Sequence, residues 1–321
     1  MFFTFAFFHP AYSQSADGRS YGFSLSPQAG FIYGQVFEYV YPTDTKGEFL
    51  SELTWDMKPV FYLGLKLDFA KKDEINEAGF FSSLSFKAGI PGDSGYLEDR
   101  DWQSIENSAL TNFSSHTNKT RSFFSLDAAL GFSVPIKSIA IIKTFISGSW
   151  MHFAFTGRDG YIKYARDKNG NHQTSGSTTF LHIDNNPRIE SLYGDVISYK
   201  QNWLLLSPGI TIGTRMFHPF SFDLSLKISL ITYCYSVDDH LLHPPRTYLD
   251  FTRIGLYYEP SVCIMYSFKR IDHLLEFSWK NVGRTTGESY QKIYYGYGLI
   301  PNKAGAALSL MDLRYMLRIR F

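Results

Sequence analysis

Two acidic clusters lie far apart in a chain of 321 residues: Asp99-Arg100-Asp101-Trp102 and Asp238-Asp239-His240. Asp99 and Asp101 are two positions apart, so an extended backbone places both carboxylates on one face, and Asp238 and His240 share a face for the same reason. A carboxylate bonded to one imidazole nitrogen fixes the tautomer and raises the basicity of the ring. The other nitrogen can then take a proton from water, which is general-base catalysis worth ~10²–10⁴-fold. A second acidic pair opposite could hold that water and titrate with it as a coupled unit. Taken singly, D-x-D and D-x-H are weak signals. Solvated loop charges fit them too, and so does a calcium or zinc site, since Asp and His ligate both.

Each cluster lies just past a strand-like segment. Phe61, Leu63, Leu65, Leu67 and Phe69 alternate with Tyr62, Gly64, Lys66 and Asp68. The same period of two runs through Phe80–Ile90, Phe124–Val134, Phe222–Leu230 and Leu313–Phe321. Apolar residues on one face, with Lys, Asp and Arg recurring on the other, suit strands that face lipid outside and a wet lumen inside. Composition agrees. Aromatic residues make up 17% of the chain, yet mean hydropathy is only −0.16 and no apolar run is long enough for a membrane helix. Net charge is +1, so no basic field argues for nucleic acid. The two cysteines, Cys234 and Cys263, are too few for a disulfide framework and are left as one bridge or two free thiols.

The connections alternate between short and long. Short ones fall at Lys71–Asn76, Pro135–Ser138, His218–Phe220 and Arg270–His273. Long polar ones fall near Tyr41–Lys46, Ser94–Ser115, Asp167–Ser198, Asp238–Tyr248 and Gln291–Ala307. Four short and five long connections give ten strands, an even number that closes into a barrel without a free edge. Both acidic clusters then sit on the long-loop side. Pro59 and Pro208 interrupt strand-like stretches and are expected at bulges or strand ends. Residues 1–16 read as a truncated signal peptide, apolar and then small but without a charged start, leaving 17–321 as a single barrel domain.

Several blocks carry a family resemblance: Leu50–Lys58, Glu98-Asp-Arg-Asp-Trp102, Phe153–Arg158, Ile197–Gln201 and Val237-Asp-Asp-His240. In order and spacing the chain resembles the omptins, outer-membrane aspartyl-histidyl endopeptidases, from about Phe23 to Phe321. The resemblance implies a ten-stranded antiparallel transmembrane β-barrel in the cell outer membrane, with its active site facing the extracellular side. It implies that Asp99 and Asp101 are one catalytic pair and that Asp238 and His240 are the other, with Asp239 replacing a Glu of the family motif.

The positions that the resemblance assigns to substrate binding match less well. Glu38 keeps one acidic residue of a pocket for basic side chains, and it reads equally as an ordinary lumen-facing charge. The acidic partner is Ser236 here, and an acidic residue of the neighbouring pocket falls at Asn112. Losing a carboxylate should relax selection for Arg or Lys. His116 falls beside the rim, either orienting substrate or as a solvated loop His, and His243 reads as loop. Arg100 should face away from its two aspartates. Omptins also require lipopolysaccharide held by an arginine pair, and His152 and Asn202 stand in its place, beside Trp150.

The expectation is therefore a monomeric outer-membrane endopeptidase acting on peptides or proteins through an activated water. No metal or other cofactor is needed, His152 and Asn202 put the family's dependence on lipopolysaccharide in doubt, and outer-membrane lipid surrounds the barrel. The alternative is a catalytically silent barrel whose long loops bind other proteins. A soluble β-sandwich stands third.

Overall fold

The computed structural model describes residues 21–42, 48–74, 76–104, 108–137, 139–167, 169–170, 180–217, 219–242, 245–293 and 296–321. The expected signal peptide and His243 lie outside them. The described residues form strands and turns only, with no helix.

Ten staves close into one antiparallel barrel. The first two are β1 (Tyr21–Tyr41) and β2 (Ser51–Lys71). The third is β3 (Gly79–Gly89) continued by β4 (Gly92–Asp101). The fourth and fifth are β5 (Asn112–Ile136) and β6 (Ala140–Tyr164). A short strand, β7 (Arg188–Ser191), pairs with the top of β6, and β8 (Asp195–Thr214) is the sixth stave. The seventh is β9 (Phe220–Ser229) with β10 (Ile231–His240), and the eighth is β11 (Arg246–Arg253) with β12 (Tyr257–Phe268). The ninth is β13 (Ile271–Val282) with β14 (Thr286–Ile293), and the tenth is β15 (Gly296–Arg320). β15 pairs with β13 and β14 on one side and with β1 on the other, so no edge is left open.

The alternation sorts as the sequence predicts. Phe61, Leu63, Leu65 and Leu67 are exposed on the outer surface, as are Leu130, Ile146, Ile212, Leu224 and Leu275 from other staves. Between them Tyr62 is buried, and Lys66 pairs with Asp68 at 2.9 Å inside the lumen. This apolar belt is the membrane-spanning band. Lumen charges at that depth are compensated: Lys87 bonds Asp312, Arg318 bonds Asp272 at 2.8 Å, and Lys227 bonds Glu259 at 3.2 Å.

The strands run farther than the alternation alone indicates. Asp99 to Asp101 and Asp238 to His240 are the last residues of β4 and β10, not loop residues beyond them. Much of Gln291–Ala307, expected as a loop, belongs to β14 and β15. Above the membrane both faces of a strand are wet, so its apolar signature fades although the ladder continues. Pro59 sits in the expected bulge: the register passes from Ile32–Val60 to Gly34–Met57, so Lys58 and Pro59 oppose one residue. Pro208 pairs regularly with Ile146, and the extra residue lies instead in the neighbouring stave, between Lys227 and Ile231. Both cysteines are free.

An aromatic layer crosses the lumen below the long-loop end. Trp55 of β2 stacks on Tyr199 of β8 (centroids 5.2 Å apart, 8° between planes) and on Phe155 of β6 (5.5 Å, 18°). Trp203, Phe123, Phe153 and Tyr257 are fully buried with them. The barrel is thus a cup above a charged vestibule, where the alternation suggested a continuous wet lumen.

Candidate active site

The residues of the cup come from the upper ends of six staves, through β1, β2, β4, β5, β10 and β11. Asp99 pairs with Leu53 and Ser114, and Asp101 with Ser51 and Asn112, so β2 and β5 flank the first acidic pair. A bulge in β4 between Asp93 and Tyr96 precedes that pair. Gly95 makes it possible: its φ is +107°, and a Cβ there would lie 2.7 Å from Asp56 Cβ. Ser51 Oγ donates to Asp99 Oδ1 at 3.2 Å, and Asn112 Nδ2 donates to Asp101 Oδ2 at 3.1 Å. Arg100, facing the other way, bonds Glu98 and lies over the Phe113 ring.

Across the mouth, β10 carries the second pair. His240 Nε2 lies 2.7 Å from Asp238 Oδ2, while the ring packs edge-on against Tyr248. The Asp238 side chain is buried and that of His240 is 43% exposed. One end of the imidazole is therefore held by a carboxylate, and Nδ1 is left for a group in the mouth.

The two pairs lie near enough to shift each other's protons. Burial pushes the Asp99 carboxyl well above the usual carboxylate range, Asp101 adds to this, and His240 opposes it. Burial raises Asp101 as well, against the hydrogen bonds from Asn112 and Ser51. Burial alone would lower His240, but the charge and hydrogen bond of Asp238, with Asp99 and Asp101 beyond, raise it to about 9. Asp99, Asp101 and His240 thus act on one another's protons, while Asp238 holds the ring.

The remaining expected site residues fall in two places. Glu38 and Ser236 lie together on the cup wall, with Asp250 of β11, which strand-end motifs do not reveal. Its signal is a carboxylate on the buried face of Tyr248-Leu-Asp-Phe-Thr252, where Asp250 and Thr252 are buried and Phe251 is exposed. Ser51 was equally hidden, inside Leu50–Lys58. Asn112 serves Asp101 directly. His116 is no solvated loop residue: it is buried on β5, with Nδ1 2.6 Å from the Asp159 carbonyl and Nε2 2.9 Å from Ser114 Oγ. Burial lowers its proton affinity, and both of its ring nitrogens are engaged within the wall.

On the outer surface, His152 is bonded to Asn202 Oδ1 at 2.9 Å and to Ser122 Oγ at 3.1 Å, with Trp150 stacked beside it. This cluster offers no arginine pair.

A model of the Omptin family matches residues 19–317. No curated protein matches the chain. Among solved structures, the outer membrane protease OmpT from Escherichia coli superposes with a TM-score of 0.81, at 18% identity, over 96% of this chain and 100% of its own. The translocator domain of the autotransporter NalP from Neisseria meningitidis reaches 0.36 at 9% identity, over 95% of this chain and 90% of its own. The P. putida toluene transporter TodX reaches 0.31 at 8%, over 94% and 90%. The likeness to OmpT is one of fold.

Proposed function

As the chain belongs to the omptin family of outer-membrane proteases, we propose that its acidic cup hydrolyses peptide bonds by direct attack of an activated water. The observation that carries this reading is the 2.7 Å contact between His240 Nε2 and Asp238 Oδ2, facing Asp99 and Asp101 across one mouth.

Asp238 orients the imidazole and stabilises the cation formed when the ring takes a proton. His240 Nδ1 removes a proton from water as its oxygen attacks the scissile carbonyl carbon. Asp99 and Asp101 hold that water, and the proton they share steadies the charge developing on the carbonyl oxygen. Collapse of the tetrahedral intermediate breaks the C–N bond, and the proton held by His240 passes to the leaving amine. These roles use neither a metal nor a covalent intermediate.

The long-loop end of the barrel faces outward from the cell in this reading, where protein substrates are met. The closed ring needs no second copy, so the enzyme acts as a monomer. The His152–Asn202 pair lacks the guanidinium groups that would grip a lipid phosphate, so activity does not depend on lipopolysaccharide.

A fluorogenic peptide library applied to the refolded barrel tests the proposal, with and without lipopolysaccharide. Wild type should cleave, while Asp99→Ala and His240→Ala should each lose ~10²–10⁴-fold. No cleavage by wild type in either condition would leave a silent, protein-binding barrel. Undiminished cleavage by both variants would move the site elsewhere.

A further inference from the structure

We propose that Glu38 and Asp250 together form the cation pocket of the cup, Asp250 taking over from the neighbouring strand the place of the acid missing at Ser236. This deepens the protease reading and rests on it. Ser236 and Asp250 are directly opposed in the β10–β11 ladder, and Ser236 Oγ lies 3.5 Å from Asp250 Oδ2. Cross-strand partners point to the same face, so a carboxylate on either residue enters the same space. Glu38 reaches that space from β1, which does not pair with β11. Gln201, opposite Ser236 in the β8–β10 ladder, donates from Nε2 to the Phe37 carbonyl at 3.0 Å and so ties β1 beside Glu38 to this wall. Each of the two carboxyls shifts the other's proton affinity. The two carboxyls therefore come from separate parts of the wall, and both side chains are buried on the lumen side.

Two features mark the pair as a site for a ligand. Glu38 is 3% and Asp250 4% exposed, yet Glu38 Oε2 and Asp250 Oδ1 have no hydrogen-bond partner. Elsewhere in the lumen, buried or partly buried acids have cations: Lys87 for Asp312, Lys227 for Glu259, Arg314 for Glu276 and Arg318 for Asp272. Among the described residues no Lys, Arg or His pairs with Glu38 or Asp250. Two buried carboxyls with no cation between them resist ionising together, so the empty pair keeps a proton that it can release. Burial is the main cause, and Asp238 adds to it, in raising Glu38 well above the usual range and Asp250 to about 7.

An incoming guanidinium or ammonium replaces that proton, which leaves to solvent, and finds two carboxylates with free oxygens. Arginine suits the site better than lysine, because its planar fork can engage both groups at once. Asp238 lies beside the pair, so the bound side chain belongs to a residue adjoining the scissile bond. Selection for a basic residue is thus retained despite Ser236.

Two measurements separate this inference from the protease reading. The first is binding of agmatine, a guanidinium probe, to the folded barrel by calorimetry. Wild type should bind it, and Asp250→Asn should weaken binding at least about tenfold. The second is kcat/KM for paired peptides with arginine or neutral citrulline before the cleaved bond. The arginine-to-citrulline ratio should fall at least about tenfold in Asp250→Asn and recover in the double variant Ser236→Asp/Asp250→Ser. Agmatine binding that is absent from wild type, or unchanged in Asp250→Asn, overturns the inference. So does an equal loss on both peptides. Agmatine binding without cleavage of any peptide would keep the pocket and overturn the protease reading alone.

Discussion

Asn112 Nδ2 donates to Asp101 Oδ2 at 3.1 Å from the adjoining stave, so the position where the family resemblance expects a pocket acid here supports a member of the first acidic pair. The amide favours the ionised form of Asp101 and opposes the rise that burial causes. Asn112→Ala should let Asp101 hold its proton to higher pH and lower kcat/KM at neutral pH about tenfold. Asn112→Asp sets acceptor against acceptor and should cost more than the alanine. Kinetics at pH 7 rank the two, and an aspartate variant as active as wild type would place Asn112 outside the acid–base unit.

The imidazole gives the sign of the pH profile. His240 must be unprotonated to act as a base, and its proton affinity is raised to about 9. The kcat/KM of wild type should therefore still be rising above neutral pH. Asp238 is the chief cause of the rise, through its charge and its hydrogen bond. Asp238→Asn should shift the acid limb toward the ordinary imidazole value near ~6.5 while lowering the plateau, since the weaker base is also misoriented. Profiles from pH 5 to 10 read both effects, and a limb that does not move would detach His240 from the rate.

How far the sequence carries depends on where water lies. Within the membrane band one face is apolar, and Phe61–Phe69 or Phe222–Leu230 reveal their strands by period alone. The closed ten-stave ring follows, and so does the family. Above the band the strands persist, but their signature fades, so the end of β14 and the upper part of β15 read as loop, and the two acidic clusters as residues just past their strands. Short motifs locate Asp99, Asp101, Asp238 and His240. Nothing local marks Ser51 or Asp250, whose positions depend on ladder register between strands distant in sequence. The aromatic layer was hidden differently: Trp55, Tyr199 and Phe155 each look like ordinary strand residues until closure brings β2, β6 and β8 around one axis.

The same protons link the cup to stability. Glu38, Asp99, Asp101 and Asp250 all have proton affinities raised in the folded barrel, and that of His240 is raised too. The folded state therefore binds protons that the unfolded chain releases. For the carboxyls this stabilisation is complete below the unfolded values near ~4. It is lost as pH rises through the folded values, which for Asp250 is about 7. The His240 contribution is lost as pH rises through about 9. The cup should thus add more stability at pH 5.5 than at pH 9, and Asp250→Asn should flatten the difference. Denaturant unfolding in lipid vesicles at the two pH values measures this, and an equal slope in the variant would exclude Asp250 from the linkage.

The floor of the cup makes a separate demand. Trp55 of β2 stacks on both Tyr199 and Phe155, cross-strand partners on β8 and β6, and is fully buried inside the lumen. Trp55→Ala removes a ring from a layer fed by several staves, and the rigid barrel wall cannot move inward to refill it. The loss should be ~3–5 kcal/mol, as for large-to-alanine changes in close-packed cores. Trp55→Phe keeps a stacking ring and should cost markedly less. The gap in the alanine variant would also join the acidic cup to the charged vestibule below, so it should pass ions in planar bilayers where wild type does not. Urea unfolding and conductance test the two consequences independently. A stable alanine variant that conducts no more than wild type would mean that the surrounding Phe123, Phe153, Trp203 and Tyr257 close the lumen without Trp55.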